Sequence, residues 1–120
     1  SMIKSKLLDQ SFIAGLGNIY VDESLWLAKI HPEKKSDTIS GIKIRRLSDA
    51  IPMILKKAIE HNGTTIINFS FGNDSIGSYK EKLNVFGKTG EVCIRCKKSK
   101  IVKIFVSQRG THFCPRCQKK

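Results

Sequence analysis

From residue 42 to residue 59, apolar side chains at Ile44, Leu47, Ile51, Ile54, Leu55 and Ala58 recur at steps of three and four. That spacing predicts one buried face of an α-helix. Ser36 to Ser40 supplies its start signals, and Asn62-Gly63 predicts a left-handed cap at its end. Pro52 lies inside the pattern, so a kink or local restart is expected there. Upstream, a second helix is expected over residues 18–29, burying Ile19, Trp26, Leu27 and Ile30 and closed by His31-Pro32. A short first helix is expected over residues 3–8. Downstream the pattern changes. Residues 69–79, rich in Gly, Ser, Asn and Asp, read as a mobile loop. Leu83, Val85 and Phe86 then lead to Gly87 and Gly90 as a linker. Residues 100–106 are strand-like, 107–110 turn-like, and 111–113 return, which predicts a hairpin.

At 120 residues, 40% hydrophobic and 27% charged, the chain has the composition of about one soluble globular domain. No apolar run approaches the roughly 20 residues of a membrane span, and no secretory leader is expected. Charge alters the picture more. The formal net charge is +12, and it is unevenly placed. Residues 1–40 balance five basic against five acidic side chains, whereas residues 93–120 hold nine basic ones and no acid. Such a field attracts polyanions, with nucleic acid the first partner to consider and an anionic membrane the second.

The same basic stretch holds all four cysteines, as Cys93-x-x-Cys96 and Cys114-x-x-Cys117 separated by seventeen residues. Each pair lets one tight turn aim two sulfurs at a common point, and two such turns complete a tetrahedral zinc site. Four protein ligands leave no open position, so one structural Zn²⁺ is expected. Two disulfides would need an oxidising compartment, and a redox pair would need a neighbouring βαβ pattern. Four thiolates around Zn²⁺ lower the local excess of nine positive charges by only two.

Before the second helix, residues 9–18 form a glycine-bearing connection in which Gly15 and Gly17 permit left-handed backbone and Asn18 suits an N-cap. A turn of this kind offers free backbone N–H groups to a phosphate. Asp22 and Glu23 are adjacent carboxylates, but neighbours on a helix diverge by about 100° and cannot share a substrate. Their expected role is first-turn charge against the helix dipole, or a hydrogen bond to the glycine turn. His31, His61 and His112 are scattered, and no nucleophile–base pairing is legible.

Four features stand in order: Leu7-Leu-Asp-Gln10; Gly15-Leu-Gly-Asn-Ile-Tyr20 with Asp22-Glu23; Gly63-Thr-Thr65; and the cysteine module with Gln108-Arg-Gly-Thr111 before Cys114. Together they resemble the C-terminal half of bacterial formamidopyrimidine-DNA glycosylase, a base-excision repair family acting on 8-oxoguanine and ring-opened purines. The resemblance covers essentially the whole chain. It implies a mainly α fold, a helix–two-turns–helix bundle (residues 1–84) followed by a four-cysteine zinc β-hairpin finger (residues 85–120). It implies that Asn18 and Gly17 bind a backbone phosphate, that Lys4 reaches the DNA backbone near the lesion, and that Arg109 clamps phosphates and donates a proton in δ-elimination. The loop 69–79, with Tyr79 a contact, resembles the family's lesion-covering loop.

The family's chemistry starts at an N-terminal proline followed by a glutamate, whereas this sequence opens Ser1-Met2-Ile3-Lys4. Ser1-Met2 reads as a cloning remnant. The expectation is therefore a DNA-binding piece of a glycosylase/AP lyase, unable to excise a base alone. Its expected partner is damaged double-stranded DNA, its state a monomer away from membranes, its place the bacterial cytoplasm with the nucleoid. Two alternatives are a stand-alone zinc DNA-binding module and an endonuclease-eight-type glycosylase acting on oxidised pyrimidines.

Overall fold

A computed structural model of the chain describes residues 1–9, 16–68 and 83–120. The expected loop 69–79 with Tyr79, and Gly15, lie outside the described residues. Three helices come first: α1 (Ile3–Asp9), α2 (Leu16–Ala28) and α3 (Gly41–Asn68), with a 3-10 turn at Ser36–Thr38 before the third. Two strands follow, β1 (Val102–Val106) and β2 (Arg109–Phe113), paired antiparallel.

Helix α2 is the centre of the molecule. Every side chain from Ile19 to Trp26 is buried, the mark of a helix enclosed on all sides. Toward α1 and α3 it contributes Val21, Leu25 and Ala28 to a cluster with Ile3, Leu47 and Ala50. A second cluster joins Ile19 and Tyr20 to Ile54 and Leu83. A third joins Trp26 to Val85, Cys93, Ile101 and Cys114. Leu27, expected buried, is half-buried and packs against all three clusters.

The end of α2 is set by backbone geometry more than by the His31-Pro32 pair. Lys29 adopts φ 61°, and the N–H groups of Lys29 and Ile30 donate to the carbonyls of Trp26 and Leu25 at 3.1 and 3.0 Å. This is a Schellman closure with lysine in the place usually taken by glycine. The chain then runs beside the start of α1, where Ile3 N–H donates to Lys34 O at 2.7 Å and Ser36 N–H to Ser1 O at 2.8 Å.

Ser40 caps α3, its Oγ accepting the Lys43 N–H at 3.3 Å. The helix is continuous through Pro52, so of the two outcomes expected there the restart does not occur. One expectation is corrected: the helix does not stop at Asn62-Gly63 but runs to Asn68. A glycine inside a helix costs only about 1 kcal/mol relative to alanine, too little to end a helix that is otherwise extended. The expected buried face is also narrower. Leu47, Ala50 and Ile54 are buried, whereas Ile44 and Leu55 remain about two-fifths exposed.

Candidate nucleic-acid interface

The four cysteine sulfurs lie within 4.8 Å of one another. Zn–S bonds of about 2.3 Å at tetrahedral angles place sulfurs roughly 3.8 Å apart, far beyond a disulfide's ~2.05 Å. Cys93–Cys117 and Cys96–Cys114 stand at 3.8 and 3.7 Å. The cage therefore fits one structural zinc. Its thiols differ in the metal-free chain. Backbone N–H groups of Ser99 and Lys98 lower Cys96 to about 6, whereas burial pushes Cys114 up to about 12. At Cys93 burial opposes ionisation, and the backbone N–H groups of Cys96 and Arg95 help to outweigh that effect and lower the thiol.

The cage is fastened to α2. Arg95 lies 3.9 Å above the Trp26 ring, donates to Trp26 O at 2.6 Å, and directs Nε to the Cys117 sulfur at 3.4 Å. Gln118 accepts the Cys114 N–H at 2.9 Å and donates to Ile30 O at 3.0 Å. Such outer partners orient thiolates and join the metal site to the helices.

At the other end of the hairpin, Ser107 and Gln108 have φ of 50° and 64°, so the turn is a two-residue type I′ turn built without glycine. Arg109 is thus the first residue of β2, opposite Val106, rather than the centre of the turn, and it is exposed. The residues around it are held by α1 and α2. Ser5 Oγ shares a hydrogen bond with Ser107 Oγ. Asn18 Nδ2 donates to Gly110 O at 3.1 Å. Lys4 Nζ donates to Asp22 Oδ1 at 2.7 Å, Thr111 Oγ1 at 2.7 Å and Gly110 O at 3.0 Å. Asp22 Oδ2 accepts the His112 N–H at 3.0 Å, with His112 Nδ1 3.1 Å away; the tautomer protonated at Nδ1 donates there too.

These contacts revise several expectations. Asn18 is no N-cap: α2 starts at Leu16, so Asn18 sits in its first turn and its side chain turns to the finger. Gly17 is helical and buried, not left-handed. Asp22 and Glu23 are not first-turn residues but lie mid-helix, 1% and 2% exposed. Lys4 is fully buried, and its three ammonium protons meet three protein acceptors. Burial lowers its pKa, with the Asp22 carboxylate acting the other way. As folded, Lys4 is a brace behind the surface.

Glu23 explains the linker. Its Oε1 accepts Asn84 N–H and Nδ2 at 2.8 and 3.0 Å, and its Oε2 accepts the Val85 and Phe86 N–H groups at 2.8 and 3.0 Å. Two adjacent carboxylates on diverging faces thus hold two different segments, Asp22 the hairpin and Glu23 the chain leading to it. One sequence signal points to the burial of Asp22: it stands three residues after Ile19 and four before Trp26, on the same helix face as two large apolar side chains.

The comparisons agree with this geometry. The family described as "Formamidopyrimidine-DNA glycosylase H2TH domain" matches residues 1–70, and "Zinc finger found in FPG and IleRS" matches residues 90–120. A formamidopyrimidine-DNA glycosylase of Lactococcus lactis is 53% identical over 98% of this chain and 43% of its own length. Two solved Lactococcus lactis structures, one complexed with FAPY-dG-containing DNA and one with abasic-site DNA, each superpose with TM-score 0.82 at 52% identity. Each superposition covers 100% of this chain and 43% of that one. The chain spans less than half the length of these relatives.

Proposed function

The chain belongs to the formamidopyrimidine-DNA glycosylase family, and from that premise we propose that its 120 residues grip duplex DNA at a damaged nucleotide. The full-length protein in this reading is a glycosylase/AP lyase acting on oxidised purines, 8-oxoguanine and formamidopyrimidines. One observation carries the reading: exposed Arg109 is framed by residues 107, 110, 111 and 112, each bonded to α1 or α2. A guanidinium held in that way presents a fixed fork to a phosphate.

Asn18 spends one Nδ2 proton on Gly110 O, and its second is the donor for a neighbouring phosphate. The first-turn N–H groups of α2, that of Gly17 among them, have no partner within the helix and complete the anion pocket. Lys4 acts through Gly110 and Asp22, setting the hairpin against Asn18. In the full enzyme Arg109 also donates the proton of δ-elimination, and Tyr79 with residues 69–79 covers the lesion. The boundary between the helical and zinc domains falls at residues 84 and 85. Base excision is not assigned to the 120 residues alone, because their buried described acids serve as braces.

The reading places a monomer on DNA in the bacterial cytoplasm. No described helix is long and apolar enough to cross a membrane. Anisotropy titration of an abasic-site duplex tests it. Arg109→Ala weakens binding about 10- to 100-fold, alike for all flanking sequences, since phosphates carry no base code. Unchanged affinity overturns the assignment.

A further inference from the structure

Phe105 stands on β1 with 69% of its surface exposed, directly opposite Gly110. Its neighbour Val106 is 2% exposed, so the strand buries one face and turns the phenyl ring outward on the other. Lys103, two residues earlier on the same face, sets its ammonium 5.4 Å from the ring centroid. Glycine at position 110 leaves room for that arrangement: a Cβ there would lie 2.9 Å from Lys103 Cε. An outward aromatic under a lysine, in a 28-residue stretch with nine basic side chains and no acid, is complementary to a nucleotide: a π-face for a base and a charge for its phosphate.

We propose that Lys103 and Phe105 form a second nucleotide-binding contact, in which Phe105 stacks on a base displaced from the duplex and Lys103 pairs with the adjoining phosphate. The proposal rests on the DNA-binding reading and extends it to a different nucleotide. Arg109 pairs with Val106, one step along the ladder from the Phe105–Gly110 pair, and its side chain leaves the opposite face of the ribbon. The two contacts therefore address different parts of the nucleic acid. A phenyl ring has no hydrogen-bonding group, so it reads no sequence, and it can stack only where a base has left its neighbours. Paired duplex offers Phe105 nothing comparable, which makes the contact selective for distorted DNA.

The experiment uses the zinc-loaded 120-residue chain and two probes, a fully paired duplex and the same duplex with one bulged 2-aminopurine. Phe105→Ala lowers affinity for the bulged duplex about 5- to 100-fold and for the paired duplex less than about twofold. Phe105→Trp retains the preference and quenches 2-aminopurine fluorescence on binding. Lys103→Ala weakens both probes and reduces the salt slope by about 0.9. The melting temperature of Phe105→Ala stays at the wild-type value, because the ring is already in solvent, so the effect is not one of folding. Equal affinities of Phe105→Ala and wild type for the bulged probe overturn the proposal, as does an equal loss on both probes. If wild type binds neither probe, the DNA-binding reading itself fails; if it binds both and only the Phe105 variant is silent, that reading stands without this contact.

Discussion

Lys4 Nζ lies 2.7 Å from Asp22 Oδ1, with both side chains fully withdrawn from solvent, and the same ammonium reaches across to Gly110 O and Thr111 Oγ1 on the hairpin. One ion pair thus ties α1, α2 and β2 together immediately behind Arg109. Burying two charges is favourable only when every remaining donor and acceptor is satisfied. Here the three lysine protons meet three oxygens, and the second carboxylate oxygen accepts from His112.

Asp22→Ala leaves that ammonium buried and uncompensated, and costs about 3–5 kcal/mol of stability in urea unfolding. Lys4→Met is also destabilising. Lys4→Met combined with Asp22→Ala costs less than the sum of the two, by about 0.5–3 kcal/mol. Additive single-variant effects would contradict the brace.

Chelating the zinc removes the element that folds the finger, worth on the order of 10–16 kcal/mol in comparable peptides. Trp26 packs in one cluster with Cys93 and Cys114 and carries Arg95 on its ring, so it reports the loss directly. The expected result is a red-shifted Trp26 emission together with weakened DNA binding, both restored by added Zn²⁺. Unchanged emission after verified metal loss would contradict the coupling of the cage to α2.

Acid weakens the fold through His31. Burial lowers its pKa, and its Nδ1 accepts the Glu33 N–H at 3.0 Å, a bond that exists only in the neutral ring. Below its unfolded pKa of about 6.5 the unfolded chain binds this proton and the folded one resists it. The stabilising contribution is therefore present above that pH and is lost as pH falls through the lowered folded value. His31→Gln loses less stability than wild type between about pH 7.5 and 5.5 in parallel urea titrations. Equal losses would contradict the assignment.

The zinc site was legible because its chemistry is local: two Cys-x-x-Cys turns specify four ligands, and spacing alone implies the tetrahedron. Helix positions were legible from apolar periodicity, as at Leu47 and Ile54. What sequence could not supply was the partner of each polar residue. Lys4 looks like a surface cation until Asp22 and Thr111, eighteen and over a hundred residues away, are seen to surround it. Asn18 looks like an N-cap because a helix start after glycine favours one, and only the position of the hairpin shows its amide directed to Gly110. Glu23 and the 84–86 backbone are a pairing of the same long-range kind. Gly63 carries a local preference for ending a helix, and the helix around it overrides that preference and continues to Asn68.

The proposed grip on DNA phosphates by Arg109, Asn18 and the basic finger has a signature in its salt dependence. The most direct measurement is the affinity of the zinc-loaded chain for an abasic-site duplex across a series of salt concentrations. A steep linear fall of log K with log salt is expected, about 0.9 per phosphate neutralised, with a slope shallower by about that amount for Arg109→Ala. A flat salt response, or an Arg109→Ala slope identical to wild type, would contradict the proposed grip.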